Sequence, residues 1–338
     1  MKCTWTAVIF AGIVVSGALA FGQCPPATDL TAYLAPGNSS VWLHFNAPEA
    51  GTYRIWSTTN QSLTGHFPDV WTVRDEVTFA AGLCEWTDLN AINAYRRYAV
   101  TFVCDAGESA ESNEVGYVKI TCVGAQGFAT YTPFGLPAKF WHVSDSQIPE
   151  FGDESRSPSS IVGSQAACNA ALLADRIVRQ DNGQFSYRNS ALGCAWRGSL
   201  EDNAGMEPGR AYWYRNGTGA TRTLVLAGEA DTTCTGLSEM TISATHTGAG
   251  TSTPVSWRCM RSIPRNHLNL LARGFVGGVA QTSDRLLTQV GGQAAVFLTD
   301  TNTWSGTLTA VSPGQAYWIQ NRHIDHVWTY IYDCSGNH

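Results

Sequence analysis

Charge is what this 338-residue sequence has least of. Charged residues make up 14% of it, well under the ~25% of an average soluble protein. Lysine is nearly absent, with three beside eighteen arginines, and the net charge is −6. That balance excludes a broad basic surface for nucleic acid. Beyond the first twenty residues no apolar run approaches the ~20 residues needed to span a membrane. The cysteines never fall in the close C-x-x-C spacing of zinc or redox sites. No Gly-x-Ser-x-Gly elbow, phosphate loop or indicated carboxylate pair is present. These gaps predict a chain that is not an enzyme and needs no cofactor. A divergent hydrolase site in the long loops is the enzymatic alternative.

What is present begins with an address. Lys2 gives a positive start, Ala7 to Val15 an apolar stretch, and Ala18-Leu19-Ala20 a small-x-small cleavage signal. Residues 1–20 thus predict a signal peptide cut after Ala20 or a few residues later. The mature chain is expected to be secreted, periplasmic or at the cell surface. Gln23, before Cys24, is too large for a lipid-attachment signal. Ten cysteines are present, and removal of Cys3 leaves an odd number, for which an oxidised structural role is expected. Cys84/Cys104, Cys168/Cys194 and Cys234/Cys259 lie close enough for local bridges, although spacing does not settle connectivity.

Residues 24–114 read as short alternating strands. Val41, Leu43 and Phe45 alternate with Trp42 and His44. Tyr53 and Ile55 share one face, and Tyr98, Val100 and Phe102 repeat the period of two. Trp42 and Trp56, out of phase with these, are expected on the outer face. The run Ala27-Thr-Asp-Leu-Thr31, Val41-x-Leu-x-Phe-x-x-Pro48, Tyr53-x-Ile55 and Tyr98-x-Val-x-Phe102 resembles a fibronectin type III domain. Phe45 stands where that family usually has Trp, and Cys84 and Cys104 are additions. The resemblance implies a β-sandwich serving as an adhesive or spacer module, without catalysis.

Downstream, Glu207-Pro-Gly-Arg-Ala-Tyr-Trp-Tyr-Arg-Asn216 returns as Ser312-Pro-Gly-Gln-Ala-Tyr-Trp-Ile-Gln-Asn321. This implies a tandem duplication, with β-rich repeats at 115–231 and 255–334 and a linker at 232–254. Asp175-Arg-Ile-Val matches Asp284-Arg-Leu-Leu, Trp196 matches Trp304, and Phe134 is set against Phe275. The strand 115–122 is expected to lead into the first repeat. Apolar spacing over 167–180, and over 283–290 in the second copy, predicts short helices. Pro-Gly followed by Ala-Tyr-Trp predicts a hairpin, with Asn216-Gly217 as its turn and 223–226 as the returning strand. In the second copy 327–332 returns, after the longer loop 322–326. The ordered elements resemble repeats of secreted bacterial proteins whose function is generally unassigned. The fold class expected is mainly β: a sandwich followed by two related modules with short helices.

Three groups compete as sites. Exposed aromatics could stack on sugars, with Trp42, Trp56, Trp71, Trp86 and Trp141 as candidates and Trp42 and Trp56 foremost. Trp213 and Trp318, at equivalent repeat positions, are expected in cores. His323-Ile-Asp-His326 places two imidazoles and a carboxylate within four residues, the ligand types of a zinc site. A pair three apart in a turn need not converge, so His323, Asp325 and His326 read as a solvated loop. The acidic loop Asp145, Glu150, Asp153, Glu154 lacks calcium-loop spacing. The expectation is a non-catalytic adhesion, binding or structural module whose partner is an extracellular protein or a surface polysaccharide. A carbohydrate-binding protein using exposed aromatics is the alternative.

Overall fold

The computed structural model describes residues 24–34, 40–62, 67–89, 93–137, 156–207, 209–230, 244–245, 252–257, 260–268, 270–323 and 327–328. The N-terminal segment, Cys234, Cys259, Cys334, Trp141, the acidic loop, Asp325 and His326 lie outside these.

The first strands are β1 (Thr28–Leu34), β2 (Val41–Ala47), β3 (Gly51–Thr58), β4 (Thr72–Phe79), β5 (Gly82–Asp88), β6 (Tyr95–Cys104), β7 (Gly107–Glu108) and β8 (Val115–Cys122). They form two layers, β1-β2-β5 and β4-β3-β6-β8, every pair antiparallel. The alternating residues meet between the layers as the sequence implies: Leu43, Phe45, Tyr53, Ile55, Tyr98 and Val100 are fully buried in one cluster. Each such side chain contributes roughly 1.5–3 kcal/mol, so apolar burial rather than charge holds the sandwich. β6 is buried on both sides from Tyr95 to Phe102, because segments around Asn60, Trp71 and Met260 cover its outer face.

Cys104, at the end of β6, is bonded to Cys24. This overturns the Cys84/Cys104 expectation. Cys84 is a buried thiol in the core cluster, pushed up in pKa by desolvation. The folded sheets, not chain distance, bring the N-terminal entry beside β6. Cys168–Cys194 forms as expected.

Strands β9 (Thr130–Gly135), β10 (Cys168–Asn169), β11 (Arg176–Arg179), β12 (Phe185–Asn189), β13 (Ala195–Arg197), β14 (Ala211–Asn216) and β15 (Arg222–Glu229) follow. The sheet order is β10-β12-β11-β14-β9, with β13 beside β12. β15 does not pair with β14. It crosses to the sandwich and lies along β8, so the Asn216-Gly217 hairpin is overturned. Asn216 is instead fully buried; its amide donates to Ala220 O at 2.6 Å while its Oδ1 accepts the backbone N–H groups of Thr218 and Gly219. Asn216 thus organises a crossover rather than a two-residue turn.

The sandwich sheet therefore draws two strands from beyond residue 114. β8 and β15 present Tyr117 and Val225 to the sandwich core. They present Val118, Cys122, Leu224 and Leu226 to the core of the next module. A sheet buried on both faces explains their near-continuous apolar runs. The free edge of β15 is met by the buried Gln165, whose amide accepts from Val225 N at 2.6 Å and donates to Val225 O at 3.1 Å. That side chain imitates a neighbouring strand.

The last strands are β16 (Ala244–Thr245), β17 (Ser252–Ser256), β18 (Ile263–Pro264), β19 (Arg285–Thr288), β20 (Ala294–Leu298), β21 (Thr303–Ser305), β22 (Ala310–Val311), β23 (Ala316–Gln320) and β24 (Val327–Trp328). Their main sheet runs β17-β23-β19-β20-β21, strand for strand the order β9-β14-β11-β12-β13. β17 opens inside the segment expected as linker. By register Phe134 corresponds to Val255, since each faces the motif tyrosine, Tyr212 or Tyr317; the Phe134/Phe275 match is overturned.

The helices expected over 167–180 and 283–290 are strands and turns. Leu172 and Leu173 are exposed at 78% and 57%, so the apolar spacing there marks no core face. The chain is held extended by a buried aspartate in each copy. Asp175 accepts Ala167 N and Gly217 N at 2.8 Å, and Asp284 accepts Val276 N at 2.9 Å and Arg322 N at 2.8 Å.

The two modules meet reciprocally through the shared motif. Gly135 N donates to Gly314 O at 3.0 Å, and Ser256 N donates to Gly209 O at 2.9 Å. Gln180 and Gln289 exchange side-chain amide bonds of 2.9 and 2.8 Å. A Cβ built on Gly135 would overlap the Ser256 side chain. Gly135→Val is accordingly expected to cost about 1–3 kcal/mol by overpacking. An unchanged urea midpoint would show that the strands part readily.

Candidate functional site

The two foremost sequence candidates do not converge. Trp42 lies half-buried on β2, its ring 6.4 Å from and 18° to that of His44. Trp56 lies half-buried on β3, donating Nε1–H to Thr101 Oγ1 at 2.9 Å with its ring edge-on to Phe67. Each faces outward from a different layer of the sandwich, so they share no platform. Trp71 is buried beneath the Arg97 guanidinium at 5.1 Å, and Trp86 donates to Asp75 at 2.8 Å while packing on the core. His44 is buried 3.4 Å from Glu85; desolvation outweighs that carboxylate and holds the imidazole below its usual pKa. His323 donates its backbone N–H to Asn321 Oδ1. Among the described residues no group of three or more His, Cys, Asp or Glu could hold a metal ion.

A polar cleft of about 420 Å³ opens beside β3 and β4, lined by Ser57, Thr58, Asn60, Arg74, Asn93 and Arg96. Below it Asp88, 1% exposed, accepts from Arg74 at 2.9 Å, Arg96 at 2.7 Å and the Tyr98 hydroxyl at 2.7 Å. Burial pushes the Tyr98 phenol well above its usual range and Tyr117 up to about 12. Desolvation lowers Lys119. A buried carboxylate held by two guanidiniums and a hydroxyl is fixed as an anion, so this arrangement suits structure rather than proton transfer.

A surface array of aromatics lies on the first repeat. Tyr212 and Tyr214 on β14 are fully buried, so alternation turns Trp213 and Arg215 to the opposite face of the sheet. The core position expected for Trp213 from its equivalence with Trp318 is taken instead by the neighbouring tyrosines, because repetition preserves an outward face as readily as an inward one. Both motif tryptophans, Trp213 and Trp318, are half-buried, and the tyrosines beside them fill the cores. The signal was available in Ala-Tyr-Trp-Tyr-Arg, where Trp213 shares the phase of the charged Arg215 and the two tyrosines share the other.

Cross-strand register builds two rows on this face. Trp213 stands opposite Pro133 and Val178, and Val178 opposite Phe185. Two residues along, Arg215 stands opposite Tyr131 and Arg176, Arg176 opposite Tyr187, and Tyr187 opposite Arg197. Tyr131 meets Trp213 edge-on at 6.3 Å, and Phe185 stacks with Tyr187 at 6.2 Å. The Arg176 guanidinium lies over both latter rings, at 5.2 and 5.7 Å, a cation–π arrangement. Tyr131 is 55% and Phe185 37% exposed.

The second repeat keeps the scaffold and changes the surface. The same register sets Trp318 opposite Pro254 and Leu287, and Arg285 opposite Gln320. Ser252, Ala294, Val296, Gln320 and Ser305 occupy the positions of Tyr131, Phe185, Tyr187, Arg215 and Arg197. Folding of the module thus does not require the extra rings and arginines of the first copy.

No protein-family model matches the chain, and no curated protein matches it. A crystal structure described as a Fn3-like protein from Clostridium thermocellum is similar over 26% of this chain and 84% of its own, at 23% identity and a TM-score of 0.21. The sandwich described above rests on strand pairing and burial in this chain. The chain is a mainly β protein of sandwich-like modules, and among the described residues helix is limited to short segments such as Pro158–Ile161.

Proposed function

We propose that this is a secreted or surface-exposed bacterial protein acting as a non-catalytic binding module. Its fibronectin III-like sandwich and the two repeats form the scaffold, and the outward face of the first-repeat sheet is the contact surface. The observation that carries this reading is the aromatic face of Tyr131, Trp213, Phe185 and Tyr187, built on a sheet whose sister copy folds without three of those rings. The signal-like N-terminal segment and the two disulfides support an extracellular address. The absence of a catalytic motif in the sequence supports a binding role.

The same face favours carbohydrate as the ligand. An aromatic face complements the C–H face of a pyranose. The rings are spread over a span of four adjacent strands, about 14 Å, enough for several sugar units. Screening the full-length chain on a glycan array should reveal binding. Trp213→Ala should weaken it about tenfold or more, equivalent to ~1.4 kcal/mol. Trp42→Ala should leave it unchanged. Binding lost through Trp42 and indifferent to Trp213 would transfer the site to the sandwich.

A further inference from the structure

Resting on that reading, we infer that the first-repeat face recognises an acidic polysaccharide, through a row of arginines that have no carboxylate partner among the described residues. The row runs Arg215, Arg176, Tyr187, Arg197 across β14, β11, β12 and β13. No ion pair joins any of these three arginines to an acid among the described residues, whereas Arg179 and Arg210, on the opposite face, are paired with Asp181 and Glu207. Asp175, next in sequence to Arg176, points to the core side and is saturated by backbone, tyrosine and Arg222.

Arg176 and Arg215 stand directly opposite one another, a like-charge placement that weakens strand pairing. Folding does not explain it, since the second repeat has Gln320 opposite Arg285 and Ser305 in place of Arg197. The guanidiniums are also positioned. Arg215 donates to Ala174 O at 3.1 Å and Leu172 O at 3.2 Å, and Arg176 donates to Ala171 O at 2.7 Å. Arg176 Nε–H is buried without a partner. Each head keeps further N–H donors free, and a planar fork matches a carboxylate or sulfate oxygen pair. In a chain of net charge −6, three uncompensated cations on one aromatic face are complementary to a sugar polymer carrying anions.

Affinity electrophoresis of the full-length protein tests this, using gels containing polygalacturonate, dextran sulfate or neutral dextran. Wild type should be retarded by an acidic polymer more than by dextran, and less so at high salt; the two acidic gels separate uronate from sulfate ester as the anion source. Arg215→Gln and Arg197→Ser install the second repeat's residues and should each weaken acidic retardation severalfold. Arg197 is solvent-exposed, so its variant tests the inference even if Arg215→Gln perturbs the loop it anchors. Retardation by neutral dextran that needs Trp213 but ignores both arginine variants would overturn the acidic assignment and leave the carbohydrate reading standing. No retardation in any gel, or self-association abolished by Trp213→Ala in sedimentation, would overturn both.

Discussion

Glu114→Ala is expected to destabilise the protein by about 3–5 kcal/mol, the cost of leaving buried charges without their partner. Glu114 lies between two guanidiniums at the boundary of sandwich and second repeat. One oxygen accepts from Arg97, whose side chain is 0% exposed, and the other from Arg261 at 2.7 Å. Arg97 also donates to Asn60 O at 3.1 Å and covers the Trp71 ring. Around this triad Tyr95 donates its hydroxyl to Met260 O, and Ser262 N donates to Gln61 O at 2.6 Å. Removal of the carboxylate takes away the anion that Arg97 and Arg261 share at the seam. The urea midpoint should fall accordingly, and the seam around 260–262 should become the earliest site of proteolysis. Replacing all three charges by apolar residues of similar size should recover much of the loss, because the pair's desolvation penalty disappears with it. A single-variant effect below about 1 kcal/mol would mean that water reaches the seam and the triad behaves as a surface pair.

The second large effect is expected at the duplicated aspartate. Asp175 accepts Ala167 N and Gly217 N at 2.8 Å and the Tyr214 hydroxyl at 2.5 Å, with Arg222 Nε 2.8 Å away. Asp284 holds the two equivalent backbone amides and no matching tyrosine, since Ile319 replaces Tyr214. Each stranded buried donor costs about 1–3 kcal/mol. Asp284→Ala should therefore cost about 2–4 kcal/mol, and Asp175→Ala more, because it also strands a hydroxyl and a partly buried arginine. Denaturant titration of the two variants compares the same clamp in two copies. Equal losses would show that Tyr214 and Arg222 contribute nothing beyond the backbone clamp. Tyr214→Phe separates their shares.

Much of this architecture is legible in the chain itself. Alternation at Val41, Leu43, Phe45 and at Tyr98, Val100, Phe102 is a local consequence of the two-residue strand period, and those residues do meet in the core. The copied Pro-Gly-x-Ala-Tyr-Trp likewise announces two sheets of one design. Where the reading fails, the deciding contact is distant. Apolar spacing over 167–180 imitates a helix, yet a carboxylate bonding amides eight and forty-two residues away holds it extended. Asn216-Gly217 has the composition of a hairpin turn, but β15 finds a better partner in β8, where both its faces are buried. Cys104 bonds Cys24 across 80 residues instead of its nearer neighbour.

The site divides in the same way. Sequence alone determined the stock of aromatics, the scarcity of charge, the surplus of arginine over lysine and the repeated strand that carries Trp213. Only the tertiary structure decided which aromatics share a surface. It separated Trp42 from Trp56, placing them on opposite layers, and aligned Tyr131, Trp213, Phe185 and Tyr187 from three strands that lie far apart in sequence, between residues 131 and 213. The physical reason is that strand period is set by local backbone geometry, whereas strand order and register are set by which faces can be buried together.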